Sequence, residues 1–288
     1  MFNSENFEKE VTVKANNTKY ILSLSYGKDS VATLLYIIEN KLPLDRIVHC
    51  KIMFDKDLSG EHPLMAKWIP IAEQIINQLL KENGYNCQVD NITAIRPFVD
   101  EVFRKRVRGK REGERLGFPN PICAWCNSAL KLKPLKDYIN GVIKQGFAVK
   151  EYIGIAKDEP KRLERYNKIS TENHKYITLA DFNMTEVDAM QLCKTYNLLS
   201  PMYKGQFRGG CWFCPKQAIS SLYKKWVEYP ELYNKLIDIE KLLRAEDNHQ
   251  SAFTYSNVHI SDIIKRFENG YKPKERKRSK DKQISMFD

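Results

Sequence analysis

Apolar residues gather in short solid blocks that alternate with longer stretches in which they recur every third or fourth position. Tyr20-Ile21-Leu22-Ser23-Leu24 is such a block, ending in a small polar turn, the pattern of a strand buried inside a sheet. Val31, Leu34, Leu35 and Ile38 then fall at helical spacing before the Leu42-Pro43 break, with Ser30 placed to cap that helix. The same reasoning predicts a strand over 46–54, a long amphipathic helix over 63–80 and a strand over 86–92. Past Pro119 and Pro121 it predicts a helix over 127–143, strands over 147–155 and 175–179, and a helix over 185–196. Strands alternating with helices imply an α/β fold, a doubly wound and mostly parallel sheet covered on both faces. From Pro201 the strand signal fades and helices are expected over 218–227, 230–245 and 256–267. The organisation read from this is an α/β domain over 1–200, a helical region over 201–268 and a basic tail over 269–288.

Composition narrows the class. The chain has 288 residues with 42% hydrophobic content, enough for a sizeable core, which excludes fibrous, collagen-like and wholly disordered proteins. No apolar run approaches the roughly 20 residues of a spanning helix, so no membrane partner is expected. Residues 1–10 are polar and acidic rather than leader-like, and the expected location is the cytoplasm. The formal charge is +11, and two short blocks supply most of it. Arg104, Lys105, Arg106, Arg108, Lys110, Arg111 and Arg115 oppose only Glu112 and Glu114, and Lys272, Lys274, Arg276, Lys277, Arg278, Lys280 and Lys282 oppose only Glu275 and Asp281. Either block could be a solvated loop; concentrated Lys and Arg also suit a nucleic-acid backbone.

The turn Ser25-Tyr26-Gly27-Lys28-Asp29-Ser30 joins the first strand to the first helix, where ligands collect in open α/β sheets. Such a turn aims backbone amides and the positive helix end at an anion. Gly27 would let the backbone approach, Lys28 would neutralise charge, Ser25 and Ser30 would donate hydroxyls, and Asp29 could hold Mg2+. An ordinary strand-to-helix turn would read much the same.

Here the chain resembles a family. Ser-x-Gly-Lys-Asp-Ser after the first strand is similar to the PP-loop of the ATP pyrophosphatase and sulfonucleotide (phosphoadenylyl-sulfate) reductase superfamily, usually Ser-Gly-Gly-x-Asp-Ser, with Tyr26 where glycine is usual. Glu61-His62-Pro63, Cys126 ahead of Leu130-Lys131, and Gly154-Ile155 ahead of Glu159-Pro160-Lys161-Arg162 extend the resemblance over residues 19–228. It implies an adenine nucleotide alpha hydrolase-like fold and ATP or a related adenine nucleotide held by Ser25, Gly27, Lys28, Asp29 and Ser30. Gly154 would lie near the adenosine, with Lys161 and Arg162 as anion contacts. Asp55, at the end of the second strand, faces the same crevice on topological grounds or is a simple turn carboxylate.

Seven cysteines in a chain of this kind are better read as ligands where they cluster than as disulfides. Cys123-x-x-Cys126 and Cys211-x-x-Cys214, 84 residues apart, supply the four sulfurs of a tetrahedral Zn2+ site or of a 4Fe-4S cluster. The resemblance implies the iron–sulfur form. It also argues against a plain reductase, whose catalytic cysteine lies near the C-terminus, because no cysteine follows Cys214. The expected activity is adenylation or sulfuration of a nucleic acid, with DNA the favoured form, and a sulfur donor or reductant protein as partner. The rivals are a sulfonucleotide reductase using an external thiol and a non-catalytic nucleotide-sensing module on DNA. The final Gln283-Ile284-Ser285-Met286-Phe287 resembles a peptide that docks on the sliding clamp of DNA metabolism. The aromatic run Tyr223, Trp226, Tyr229 and Tyr233 reads as core, and the isolated His49, His174, His249 and His259 read as surface or satisfied core residues, His62 standing apart only through the resemblance.

Overall fold

The computed structural model describes residues 17–120, 124–203, 210–247 and 258–274. Cys123, Gly209, His249 and the tail from residue 275, including the clamp-like peptide, lie outside them.

Five strands form one parallel sheet in the order β3-β2-β1-β4-β5. They are β1 (Thr18–Ser23), β2 (Arg46–Lys51), β3 (Val89–Thr93), β4 (Ala148–Ile153) and β5 (His174–Thr178). Because β1 and β4 are neighbours, strand order reverses between them, and their carboxyl ends open a crevice. Ser23 and Ile153 are in register, so the segments beyond them leave the sheet at one level.

One face of the sheet carries Tyr20, Leu22, Leu24 and Ile47. It is covered by α1 (Lys28–Glu39) and α2 (Pro63–Glu82), with α6 (Glu186–Thr195) against α1. The opposite face packs Ile21, Val48 and Val149 on Ile139 and Val142 of α4 (Lys133–Lys144). Two short elements, α3 (Phe98–Phe103) and α5 (Pro160–Ile169), carry no helical signal in the apolar pattern. The reason for α5 is plain, since none of its residues is buried. The C-terminal helices α7 (Ile219–Glu228), α8 (Pro230–Asp247) and α9 (Ile260–Glu268) build a separate, ring-rich core with Phe54, Phe98, Phe118, Trp212 and Phe213. Tyr233 is buried there and Tyr223 packs edge-on against Phe267, so these aromatics are core residues. Among the described residues no helix is long and apolar enough to cross a membrane.

One local expectation is corrected. Ser30 does not cap α1; Gly27 occupies the cap position, without a side-chain cap, and the helix starts at Lys28. Ser30 is instead turned back into the loop, as described next.

Candidate functional site

The segment from Ser25 to Ser30 is a compact turn tied by its own serines. Ser30 Oγ accepts the Ser25 amide at 3.1 Å, donates to the Gly27 carbonyl at 3.0 Å and lies 3.0 Å from Ser25 Oγ. The residue that takes the left-handed backbone is Tyr26, at φ 55°, while Gly27 is extended at φ −77°. A bulky residue tolerates that conformation only when its surroundings hold it there. Tyr26 is fully buried, with its ring edge-on to His49 and Trp68 and its hydroxyl donating to Glu73 at 2.8 Å. Behind the loop, Cys193 of α6 donates its thiol to the Lys28 carbonyl at 3.2 Å, and burial pushes that thiol up to about 12.

Lys28 is only 5% exposed. Its ammonium lies 2.6 Å from Asp29 and 3.6 Å from Glu186 at the start of α6, and its amide donates to the Tyr203 hydroxyl at 3.1 Å. Burial alone would lower the lysine's pKa, but the charge and hydrogen bond of Asp29, joined by Glu186, outweigh it and raise it. Asp29 is shifted upward by burial, with Lys28 pulling it back and Glu186 and Glu159 adding to the rise. Two carboxylates, Asp29 and Glu186, therefore share the field of one buried lysine at the head of α1, with Glu159 acting on Asp29.

Gly154 closes the crevice from the other side. A Cβ built there would stand 2.5 Å from the Ser30 amide nitrogen and 2.6 Å from the Asp29 carbonyl carbon, so the end of β4 meets the first turn of α1 backbone to backbone. Only glycine permits that approach. The other expected contacts lie at differing places. Arg162 on α5 pairs with Glu159 at 2.6 Å, and Lys161 beside it is exposed. Asp55 accepts the amides of Asp57 and Leu58 at 2.9 and 2.7 Å and closes the turn beyond β2.

A cleft of about 410 Å³ lies between the carboxyl half of β2 and α2, lined in part by His49, Met53, Ser59, Glu61, Ile69 and Asn77. Desolvation holds His49 down to about 4, and its Nδ1 lies 2.9 Å from the Leu24 carbonyl. His62 caps α2 by accepting the Leu64 amide and is likewise lowered to about 4 by burial.

Next to this cleft, the second cysteine pair is stitched to the turn after β2. Glu61 and Cys211 form an isolated bridge, and the Trp212 amide donates to the Gly60 carbonyl at 3.1 Å. Cys126 sits two residues before the turn Ser128–Leu132, which is wound as a π-helix, a form that often marks functional positions. Burial pushes the Cys126 thiol up to about 11, with Cys214 adding to it. Cys211 is raised well above the ordinary thiol range by burial, then by Glu61, Cys214 and Cys126. Cys214 thus acts through space on both Cys126 and Cys211, and Cys126 on Cys211. Among the described residues, no group of three or more His, Cys, Asp or Glu side chains is set to hold a metal ion.

The basic block over 104–115 folds as a hairpin-like arm whose base is held by one isolated antiparallel bridge, Lys105 to Arg115, with the Arg106 amide donating to the Glu114 carbonyl at 2.9 Å. Glu186 and Tyr203 are site residues that sequence reasoning missed. The only signal near Glu186 is the Thr185 capping box that starts α6, and Tyr203 has none.

No family model matches the chain. A 141-residue segment is 27% identical to an uncharacterized protein of Methanocaldococcus jannaschii, covering 44% of this chain and 31% of that protein. The chain thus spans less than a third of the length of the curated relative it matches. Among solved structures, it is similar to the U34-tRNA thiolase NcsA from Methanococcus maripaludis, solved with its 4Fe-4S cluster. That likeness has a TM-score of 0.39 at 14% identity, over 95% of this chain and 89% of the other, too distant to transfer chemistry.

Proposed function

We propose that the protein is a PP-loop ATP pyrophosphatase-type enzyme that adenylates a nucleic acid, with DNA the favoured substrate, and passes sulfur to the activated position. The observation that supports this most is the backbone contact of Gly154 with Asp29 and Ser30 at the strand reversal. It leaves the uncapped first turn of α1 facing a crevice where a nucleotide's phosphates would meet amides and hydroxyls rather than side-chain bulk.

In this reading Ser25, Gly27 and Ser30 hold the phosphates and Asp29 holds Mg2+, close to Glu159 and Glu186. Lys28, kept charged by its carboxylates, offsets negative charge that builds on the phosphates in the transition state. Lys161 and Arg162 supply further positive charge at the end of β4. A substrate oxygen attacks the α-phosphorus of ATP; the bond to the β-phosphate breaks and pyrophosphate leaves, and Mg2+ held by Asp29 would neutralise its charge. A nucleophilic sulfur from a donor protein then displaces AMP, which departs carrying that oxygen.

The chemistry of the donors suits a thiolate-bound inorganic centre, since Cys126 and Cys211 are thiols that burial keeps protonated until a metal takes the proton's place. Cys123, Cys126, Cys211 and Cys214 would hold it, as a 4Fe-4S cluster or as Zn2+. A 4Fe-4S cluster would supply an iron site for an incoming sulfur.

The test is pyrophosphate release from ATP and Mg2+ in the presence of DNA. Lys28→Ala is expected to lower turnover at least 100-fold while leaving the thermal unfolding curve cooperative; undiminished release from that variant would overturn the phosphate assignment.

A further inference from the structure

The seven basic residues over 104–115 divide by role. Arg104 donates to Glu101 at 2.6 Å, Arg115 donates to the Phe103 carbonyl at 2.7 Å while lying over the Phe103 ring, and Arg106 reaches the Leu116 carbonyl at 3.5 Å. These three secure the root of the arm. Arg111 pairs with Glu114 at 2.6 Å near the tip. Lys105, Arg108 and Lys110 are exposed and, among the described residues, form no ion pair. Between them stands Val107, 77% exposed.

The root is mounted on the thiol corner. Trp125, next to Cys126, donates its indole N–H to the Gly117 carbonyl at 3.2 Å, and the Gly117 amide donates to Val102. Phe118 is buried in the same aromatic cluster as Trp212 and Phe213. The base of the arm is therefore seated on the aromatic cluster against which Cys126 and Cys211 also pack.

We propose that this arm lies in the major groove of duplex DNA, with Lys105, Arg108 and Lys110 on phosphates and Val107 against base edges. The inference rests on the nucleic-acid reading above and adds the form of the substrate and the residues that hold it. Three cations without protein partners, carried on an exposed arm, match a polyanion. B-form DNA has a major groove about 12 Å wide, which admits a two-stranded ribbon, and thymine methyls there suit an aliphatic side chain. The deep, narrow major groove of duplex RNA excludes such an element.

Fluorescence anisotropy of the full-length protein, with labelled 30-base-pair DNA, the same sequence as duplex RNA, and single-stranded DNA, tests this across a salt series. Duplex DNA is expected to bind at least 10-fold more tightly than either alternative. Replacing Lys105, Arg108 and Lys110 together by alanine is expected to flatten the slope of log K against log salt by about 2 to 3, near 0.9 per phosphate contact. Val107→Ser is expected to weaken duplex DNA binding 3- to 10-fold with the slope unchanged. A control replacing the exposed Lys133 and Lys168 by alanine should leave binding as it was. Equal affinity for duplex RNA, or a triple variant with wild-type slope, overturns the groove assignment. Pyrophosphate release measured on the same preparations separates the two readings: loss of DNA binding by the triple variant with an inactive Lys28→Ala pocket supports both, and wild-type protein that releases pyrophosphate yet ignores duplex DNA sinks only the arm.

Discussion

The phosphate loop and the thiol corner stand on cores of different character. The loop is carried by aliphatic residues, Leu22, Val31, Leu34, Leu35 and Ile47 among them, and its decisive contacts are main-chain ones: strand register, the first turn of α1, and Gly154 against Ser30. The thiol corner is carried by rings. Phe98 lies 4.1 Å from Phe213 and 5.8 Å from Trp125, and Phe54 lies 4.6 Å from Trp212, centroid to centroid. Those rings come from segments far apart in the chain, and the few main-chain ties between them, such as the Phe98 amide to the Met53 carbonyl at 3.0 Å and the Trp212 amide to the Gly60 carbonyl at 3.1 Å, are filled in by ring-to-ring packing. A site placed by backbone spreads its tolerance over many small side chains, whereas one placed by rings depends on each of them.

The largest expected effect follows from that dependence. Trp212→Ala should cost about 3–5 kcal/mol, because Trp212 is 1% exposed and also donates to the Ser59 carbonyl at 3.1 Å. Urea unfolding reads the loss. Thiol titration should find Cys211 faster to react, since burial is the main cause of its raised pKa. An unchanged Cys211 would break the link between rings and thiols.

Acid should act on the loop side. His49 is neutral in the folded protein down to about pH 4, whereas in the unfolded chain an imidazole takes up a proton below about 6.5. Its contribution is therefore complete above about pH 6.5 and is lost as pH falls toward 4, on the order of 3 kcal/mol in all. Chemical denaturation between pH 7 and 4.5 measures it, and His49→Gln should flatten the dependence. Gly154→Ala comes next, at about 1–3 kcal/mol, because the colliding atoms are backbone; calorimetry should show ATP affinity falling at least 10-fold. If ATP binds Gly154→Ala normally, the loop is not placed by its main chain. The smallest effect is Tyr26→Phe, which removes one hydrogen bond to Glu73 at a cost of about 1 kcal/mol, read as a small drop in Tm.

The alternation of strands and helices was legible because the central strand β1 is buried on both faces and reads as a solid apolar run, with β2 close behind. The loop's position followed from it. Its internal geometry did not, since Gly27 drew attention as the flexible residue while Tyr26, its neighbour, holds the left-handed conformation under tertiary constraint. α5 was invisible because it buries nothing, and the meeting of Glu186 with Lys28 spans a separation that no spacing rule covers. The cysteine pairs were legible as pairs from their spacing; that Cys126 and Cys211 pack against one aromatic cluster became visible only through the rings that line it.

The Cys193 thiol, sealed behind the Lys28 carbonyl with no exposed surface, is a built-in reporter. An alkylating reagent can reach it only when α6 and the turn part company, so its labelling rate clocks that local opening. Mass spectrometry of the labelled peptide would follow the motion without any added dye, and a nucleotide seated over the turn should slow the clock.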